Sequence, residues 1–185
     1  MENGKRIKLV LIGPSGTGKT IFIQNLKEDY DKINFKNNYS TSGAAFAKLD
    51  LIYNNTVFII DIWDTSGQEK YTPLLHIFTK DSDIIFVFYD YSYKKSFERA
   101  KFLFELAKSK NNNKNCIYAL IGNLYDLNFS SNTKDDIISD EEVLEFAEKN
   151  NLIFAHLSIL EKYSQGVNEL FQKVFKEYLK IKTSV

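Results

Sequence analysis

The sequence predicts an α/β domain built on a six-stranded, mostly parallel sheet with one antiparallel edge strand and helices on both faces. Three observations carry this. Apolar strand-like runs recur at residues 7–12, 46–53, 57–62, 84–89, 117–121 and 152–157, and segments of helical spacing separate most of them. The first run leads into the glycine-rich turn Gly13-Pro14-Ser15-Gly16-Thr17-Gly18-Lys19-Thr20, which opens an apolar helical start, Ile21-Phe22-Ile23. The second and third runs are joined only by Asn54-Asn55, a dipeptide that tolerates the positive φ angles of a tight hairpin and so makes this pair antiparallel.

The remaining elements follow in order. Residues 84–88, Ile-Ile-Phe-Val-Phe, show no polar alternation, as expected of a strand covered on both faces near the sheet centre. Ser139 followed by Glu142 fits a capping box and predicts a helix over residues 140–150. Leu170, Phe171, Val174 and Leu179 form the apolar stripe of a closing helix. At 185 residues, with no internal repeat, the chain is expected to be one domain spanning 1–185.

Composition narrows the function. Formal net charge is zero, so no global field favours nucleic acid or an anionic membrane. The Lys- and Asn-rich stretch 108–114 has the composition of solvated loop. The lone cysteine, Cys116, beside an apolar run, suits a buried thiol in a reducing compartment, so a cytoplasmic monomer is expected. Met1-Glu2-Asn3-Gly4 lacks an apolar signal core and a second-position glycine for myristoylation, and no apolar run reaches bilayer length.

The eight residues 13–20 complete Gly-x-x-x-x-Gly-Lys-Thr, the spacing that cradles nucleotide phosphates. Glycines let backbone N–H groups wrap a phosphate, Lys19 bridges phosphates, and Thr20 offers a hydroxyl to Mg²⁺. The loop therefore implies a bound nucleoside triphosphate. In such sheets ligands sit outside the carboxyl ends of the strands. There the third run is followed by Trp63-Asp64-Thr65-Ser66-Gly67-Gln68-Glu69. Asp64 is the candidate second carboxylate on the Mg²⁺ side, Gly67 can give its N–H to a γ-phosphate, and the Gln68 amide can orient an attacking water. His76 and His156 read as structural, since phosphoryl transfer rests on positioning and charge stabilisation. No zinc-type Cys/His spacing is present, leaving Mg²⁺ as the only implied metal.

With residues 63–69 the chain resembles the small GTPases of the Ras superfamily, and within them the Rab family, whose switch II begins Trp-Asp-Thr-Ala-Gly-Gln-Glu; Ser66 stands at the alanine. Ser40-Thr41-Ser42-Gly43-Ala44-Ala45-Phe46 resembles the switch I segment Ser-Thr-Ile-Gly-Ala-Ala-Phe of early-endosomal Rabs. Tyr89-Asp90-Tyr91-Ser92 and Ser96-Phe97 are similar to the family's Tyr-Asp-Ile-Thr and Ser-Phe, so the likeness runs from Ile7 to about Leu179. The resemblance implies a P-loop NTPase fold of the small G domain type, with GTP or GDP and Mg²⁺ as ligands. It implies that Ser15, Gly16, Thr17, Gly18, Lys19 and Thr20 hold phosphates, that Thr41 binds Mg²⁺ and senses the γ-phosphate, and that Lys19, Thr41 and Gln68 serve hydrolysis. It also implies that Phe46, Trp63 and Phe78 present the nucleotide state to effector proteins, alongside an exchange factor and a GTPase-activating protein. No arginine is placed as an internal finger, so unaided turnover is expected to be slow.

The base-recognition motifs depart from the family. Its Asn-Lys-x-Asp reads here Asn123-Leu124-Tyr125-Asp126. Asp126 keeps the carboxylate that selects guanine over adenine. Leu124 keeps apolar contact but loses the ammonium tether to the phosphate loop, so faster nucleotide exchange is expected. The family's Glu-Thr-Ser-Ala-Lys falls in residues 154–162, where either Ser158 and Ile159 form the base loop or Lys162 aligns with the lysine; both remain open. Phe35 either stacks on the base or belongs to the core. The resemblance implies an endosomal or vesicular address, yet Lys182-Thr183-Ser184-Val185 offers no cysteine for prenylation, so no direct membrane anchor is expected in this chain; either a lipidated tail belongs to a longer protein or this member is not anchored by lipid. Two functions remain in view: a switch that hydrolyses GTP in vesicle traffic, and a guanine-nucleotide-binding scaffold of the same fold without useful turnover. An ATP-using phosphoryl transferase is disfavoured by Asp126 and residues 63–69.

Overall fold

The computed structural model describes residues 5–29, 44–124, 138–158 and 165–183. In chain order the elements are β1 (Lys5–Ile12), α1 (Lys19–Asp29), β2 (Ala44–Tyr53), β3 (Thr56–Thr65), a 3-10 turn (Glu69–Leu74), α2 (Leu75–Thr79), β4 (Ile84–Asp90), α3 (Lys94–Lys110), β5 (Ile117–Asn123), α4 (Asp140–Lys149), β6 (Ile153–Leu157) and α5 (Gln165–Thr183). The sheet order is β2-β3-β1-β4-β5-β6. Among the described strands only the β2–β3 pair is antiparallel, as the hairpin dipeptide predicts, and β2 lies at the edge. Asn54 and Asn55 take φ of 49° and 57°, the left-handed pair of a type I′ turn whose twist matches the flanking strands.

Alternation along the central strands divides the core in two. Ile84, Phe86 and Phe88 of β4 face α1 and α5, joining Phe22, Leu26, Phe171 and Phe175. Ile85, Val87 and Tyr89 face the other way, toward Phe97 and Phe104 of α3 and Val143 of α4. A strand buried on both sides must be apolar at every position, which is why residues 84–89 show no period of two. The closing helix buries Leu170, Phe171, Val174, Phe175 and Tyr178, while Leu179 lies only partly buried at the flank of that stripe. Phe175 is its centre, with ring centroids 4.9 Å from Phe58 and 5.5 Å from Tyr53.

The predicted capping box forms at its first half: the Ser139 hydroxyl accepts the Glu142 N–H at 3.3 Å, and α4 ends at Lys149. Glu142 turns its carboxylate outward to Lys94 at 3.1 Å and Lys101 at 3.6 Å, tying α4 to α3. Cys116 is half-buried just before β5, and burial pushes its thiol up to about 12. Among the described residues no helix is long and apolar enough to cross a membrane.

Phe175→Ala should cost about 3–5 kcal/mol in urea unfolding, since it opens a cavity among three aromatic rings. Ile52→Ala, on a side chain 66% exposed, should stay within about 0.5 kcal/mol in the same experiment.

Candidate functional site

The carboxyl ends of β1 and β3 and the amino end of α1 open on one cavity of about 350 Å³. It is lined by Ser15, Gly16, Gly18, Lys19 and Thr20 from the loop, by Ala44 and Ala45, and by Asp64, Ser66, Gly67 and Gln68 from the segment after β3. Parallel pairing brings these together: Leu11 of β1 lies beside Asp64 of β3, so each strand delivers its following segment to the same edge.

The loop owes its shape to one close approach. A Cβ on Gly13, whose φ is +145°, would collide with the Phe88 carbonyl of β4, so only glycine lets the chain turn here. The Thr17 hydroxyl is buried and donates to the Pro14 carbonyl at 2.9 Å, bracing the turn from within. Its side chain is spent on the loop, which leaves its backbone as the part able to serve a ligand. Lys19, 5% exposed, donates its ammonium to the Gly13 and Pro14 carbonyls at 2.8 and 2.7 Å. Burial pulls this ammonium down to about 8, with the nearby Asp64 carboxylate opposing.

Across the cavity the Thr20 hydroxyl donates to Asp64 Oδ2 at 2.6 Å. Asp64 is 8% exposed, and its Oδ1 is buried with no hydrogen-bond partner among the described residues. Burial raises the carboxyl above its ordinary value, against the pull of the Thr20 hydroxyl and the Lys19 charge. A buried carboxylate oxygen lacking a donor is a costly feature that a cation would relieve. Gly67 packs so close that a Cβ would meet the backbone of Pro14 and Ser15, which presses the segment after β3 onto the phosphate loop. Gln68 follows, its side chain exposed at the cavity and its carbonyl accepting the Tyr71 N–H at 3.0 Å. Ser66, where the family pattern has alanine, adds a hydroxyl 3.4 Å from the Gln68 N–H.

At the far side of the loop, the buried Asn123 amide donates to the Thr17 carbonyl at 3.3 Å, bridging the end of β5 to the phosphate loop. The Leu124 N–H donates to the Leu157 carbonyl at 2.9 Å, and Ser158 follows half-buried past β6, so the starts of both base-recognition segments stand side by side. Phe35, Thr41, Asp126 and Ile159 lie outside the described residues, as does Lys162.

Phe46, Trp63 and Phe78 form a row in which Trp63 and Phe78 pack against the α3-side core and Phe46 is exposed. Ring centroids are 5.2 Å apart for Phe46–Trp63 and 5.9 Å for Trp63–Phe78, and Phe46 is 42% exposed. Neither histidine lines the cavity: His156 packs against the Tyr91 and Phe154 rings with the Tyr89 hydroxyl at 3.2 Å, and His76 is exposed beside the Pro73 carbonyl at 2.6 Å. Sequence reasoning passed over Thr65, whose buried hydroxyl donates to the Leu11 carbonyl at 2.7 Å and locks β3 to β1 beside the site. It lies within the motif 63–69, but its long-range partner leaves no local signal.

The family model for the Ras family matches residues 8–180. The chain is 35% identical to the Ras-related protein Rab-5A of Dictyostelium discoideum, over 100% of this chain and 88% of that protein. It is 33% identical to the Ras-related protein Rab-17 of Mus musculus, over 93% of this chain and 75% of the relative. With the Ras-related protein RHN1 of Nicotiana plumbaginifolia it shares 35% identity over 95% and 82%. A phosphate-type loop at the carboxyl edge of this sheet, the paired Thr20 and Asp64, and these matches along nearly the whole length lead to one assignment: the chain belongs to the Ras family, as a Rab-type small GTPase.

Proposed function

We propose that this chain is a molecular switch that binds GTP and GDP with Mg²⁺ and slowly hydrolyses GTP to GDP and phosphate, in the service of vesicle traffic. One observation supports it above the rest: a buried cation, Lys19, and a buried carboxylate with an unpartnered oxygen, Asp64, face one cavity beside the Thr20 hydroxyl. The first is the partner of a phosphate and the second the partner of a metal. Oxygen donors from a hydroxyl and a carboxylate suit Mg²⁺, and the site residues fit it. Thr20 would hold the ion directly and Asp64 through water, with Thr41 added by the family resemblance. Bound magnesium would neutralise charge that builds on the phosphate oxygens.

The protein's own groups do the positioning. Lys19 exchanges its two loop carbonyls for β- and γ-phosphate oxygens, whose negative charge favours its charged form. Backbone N–H groups of residues 15–20 surround the β-phosphate at the start of α1. The Gly67 N–H meets the γ-phosphate, and the Gln68 amide orients the attacking water on the exposed side. The chain has arginine only at positions 6 and 99. Arg6 pairs with Asp61 at 3.3 Å and Arg99 with Thr72, so neither reaches the cavity, and a partner protein must supply a finger for fast turnover.

Guanine is selected by Asp126, with Asn123 tying the base side to the phosphate loop where Leu124 lacks the lysine tether. Ser158 and Ile159 are the candidates for the second base loop. The row Phe46, Trp63 and Phe78 would serve effectors, and the likeness of residues 40–46 to early-endosomal Rabs supports an address at endosomal or vesicle membranes. An exchange factor and a GTPase-activating protein complete the cycle. The second reading, a nucleotide-binding scaffold without turnover, draws on Leu124 and on the departure of residues 154–162 from the family's second base loop.

Phosphate release from GTP in Mg²⁺ separates the two. The switch predicts slow release, on the order of minutes per turnover or longer, that falls at least about tenfold in Gln68→Leu without loss of bound nucleotide. GTP held intact by wild-type protein would instead establish the scaffold. Lys19→Ala removes a charged hydrogen-bond donor and should weaken GDP binding by roughly ten- to a hundredfold in a competition titration.

A further inference from the structure

The 3-10 turn that follows Gln68 fully buries none of its own residues, with Tyr71 and Thr72 half-buried, and α2 anchors its far end through Leu75, 6% exposed. Among the described residues one side-chain hydrogen bond reaches it from another element. Arg99 of α3 donates Nη2 to the Thr72 hydroxyl at 2.7 Å. Its guanidinium carbon stands 4.8 Å from the centroid of the Phe102 ring on the same helix, which fixes the plane of the fork. Arg99 Nε is buried with no acceptor among the described residues. Folded proteins seldom bury an arginine donor without an acceptor, so the side chain is held there by what its other end does. The helix beneath is rigid: Phe97, Ala100 and Phe104 are fully buried against the sheet.

From these contacts we propose that Arg99 is a positioning residue. It ties the turn of residues 69–74 to α3 through Thr72 and thereby sets where Gln68 stands at the cavity. Gln68 and Thr72 flank a single turn closed by the Gln68 carbonyl and the Tyr71 N–H, so a displacement at Thr72 is passed to Gln68 through three residues. The planar fork matters more than the charge, because lysine carries neither the stacking on Phe102 nor a rigid donor direction. The consequence for hydrolysis rests on the functional reading above; the hold on the turn does not.

Amide hydrogen exchange of the peptide covering residues 68–74, in the protein as purified, tests the hold. Thr72→Val and Arg99→Gln should each speed exchange there by about tenfold, with β4 and β5 unchanged. The double variant should go no further than either single one, because both remove the same bond. Arg99→Lys should recover little of the protection. Thr72→Val leaves α3 untouched, so its effect cannot come from a disturbed helix. Wild-type exchange in both single variants, or additive effects in the double one, would overturn the proposal. In parallel, single-turnover phosphate release from preloaded GTP should slow by about tenfold in Thr72→Val while GTP dissociation stays unchanged. If the wild-type protein releases no phosphate, the hydrolytic reading falls, and the exchange result still decides the hold.

Discussion

The contact between Gly13 and the Phe88 carbonyl is the constraint on which the site depends. It brings the phosphate loop down onto the end of β4, deep enough that Lys19 becomes buried and its ammonium has to find partners. Those partners are carbonyls of the same loop, which keep it curled around the space where a phosphate belongs. The buried cation in turn makes a buried carboxylate tolerable on the facing strand, and Asp64 occupies that place with Thr20 as its second support. A loop that must expose N–H groups yet carry a buried charge is stable only when each polar group has a stand-in for the ligand. Here Gly13 and Pro14 serve Lys19 and Thr20 serves Asp64 Oδ2, while Asp64 Oδ1 is left without a partner among the described residues.

Most of the architecture could be read from the chain because it is written locally. Asn54 and Asn55 carry their turn type in their own side chains, and the all-apolar residues 84–89 announce a strand covered on both faces. The phosphate loop is likewise contiguous, so its residue spacing is visible in the sequence, although the approach of Gly13 to Phe88 is not. What could not be read depends on pairs far apart in sequence. The contact of Gly67 with Pro14, the bond of Thr65 to Leu11 and that of Arg99 to Thr72 each join segments whose approach is set by sheet register and helix packing. Thr17 counted as a phosphate ligand by position, yet its hydroxyl turns inward to Pro14, a choice that residue type does not reveal.

The base side of the site is where this chain differs most from its family pattern. The register of β5 with β6 sets Asn123 beside Leu157, so both base-recognition segments leave the sheet together. With leucine at 124, the Asn123 amide is the bridge from that side to the phosphate loop. Among the described residues that link is a neutral hydrogen bond, where the family pattern adds a charged one.

The identity of the nucleotide carried by the purified chain tests the central claim most directly. Denaturing the protein and determining mass and base of what it releases should yield GDP or GTP in an amount approaching one per chain when Mg²⁺ is kept present, and guanine nucleotides alone should rebind to the stripped protein. Adenine nucleotide in the released fraction, or stripped protein that takes up neither GDP nor GTP, would contradict the account.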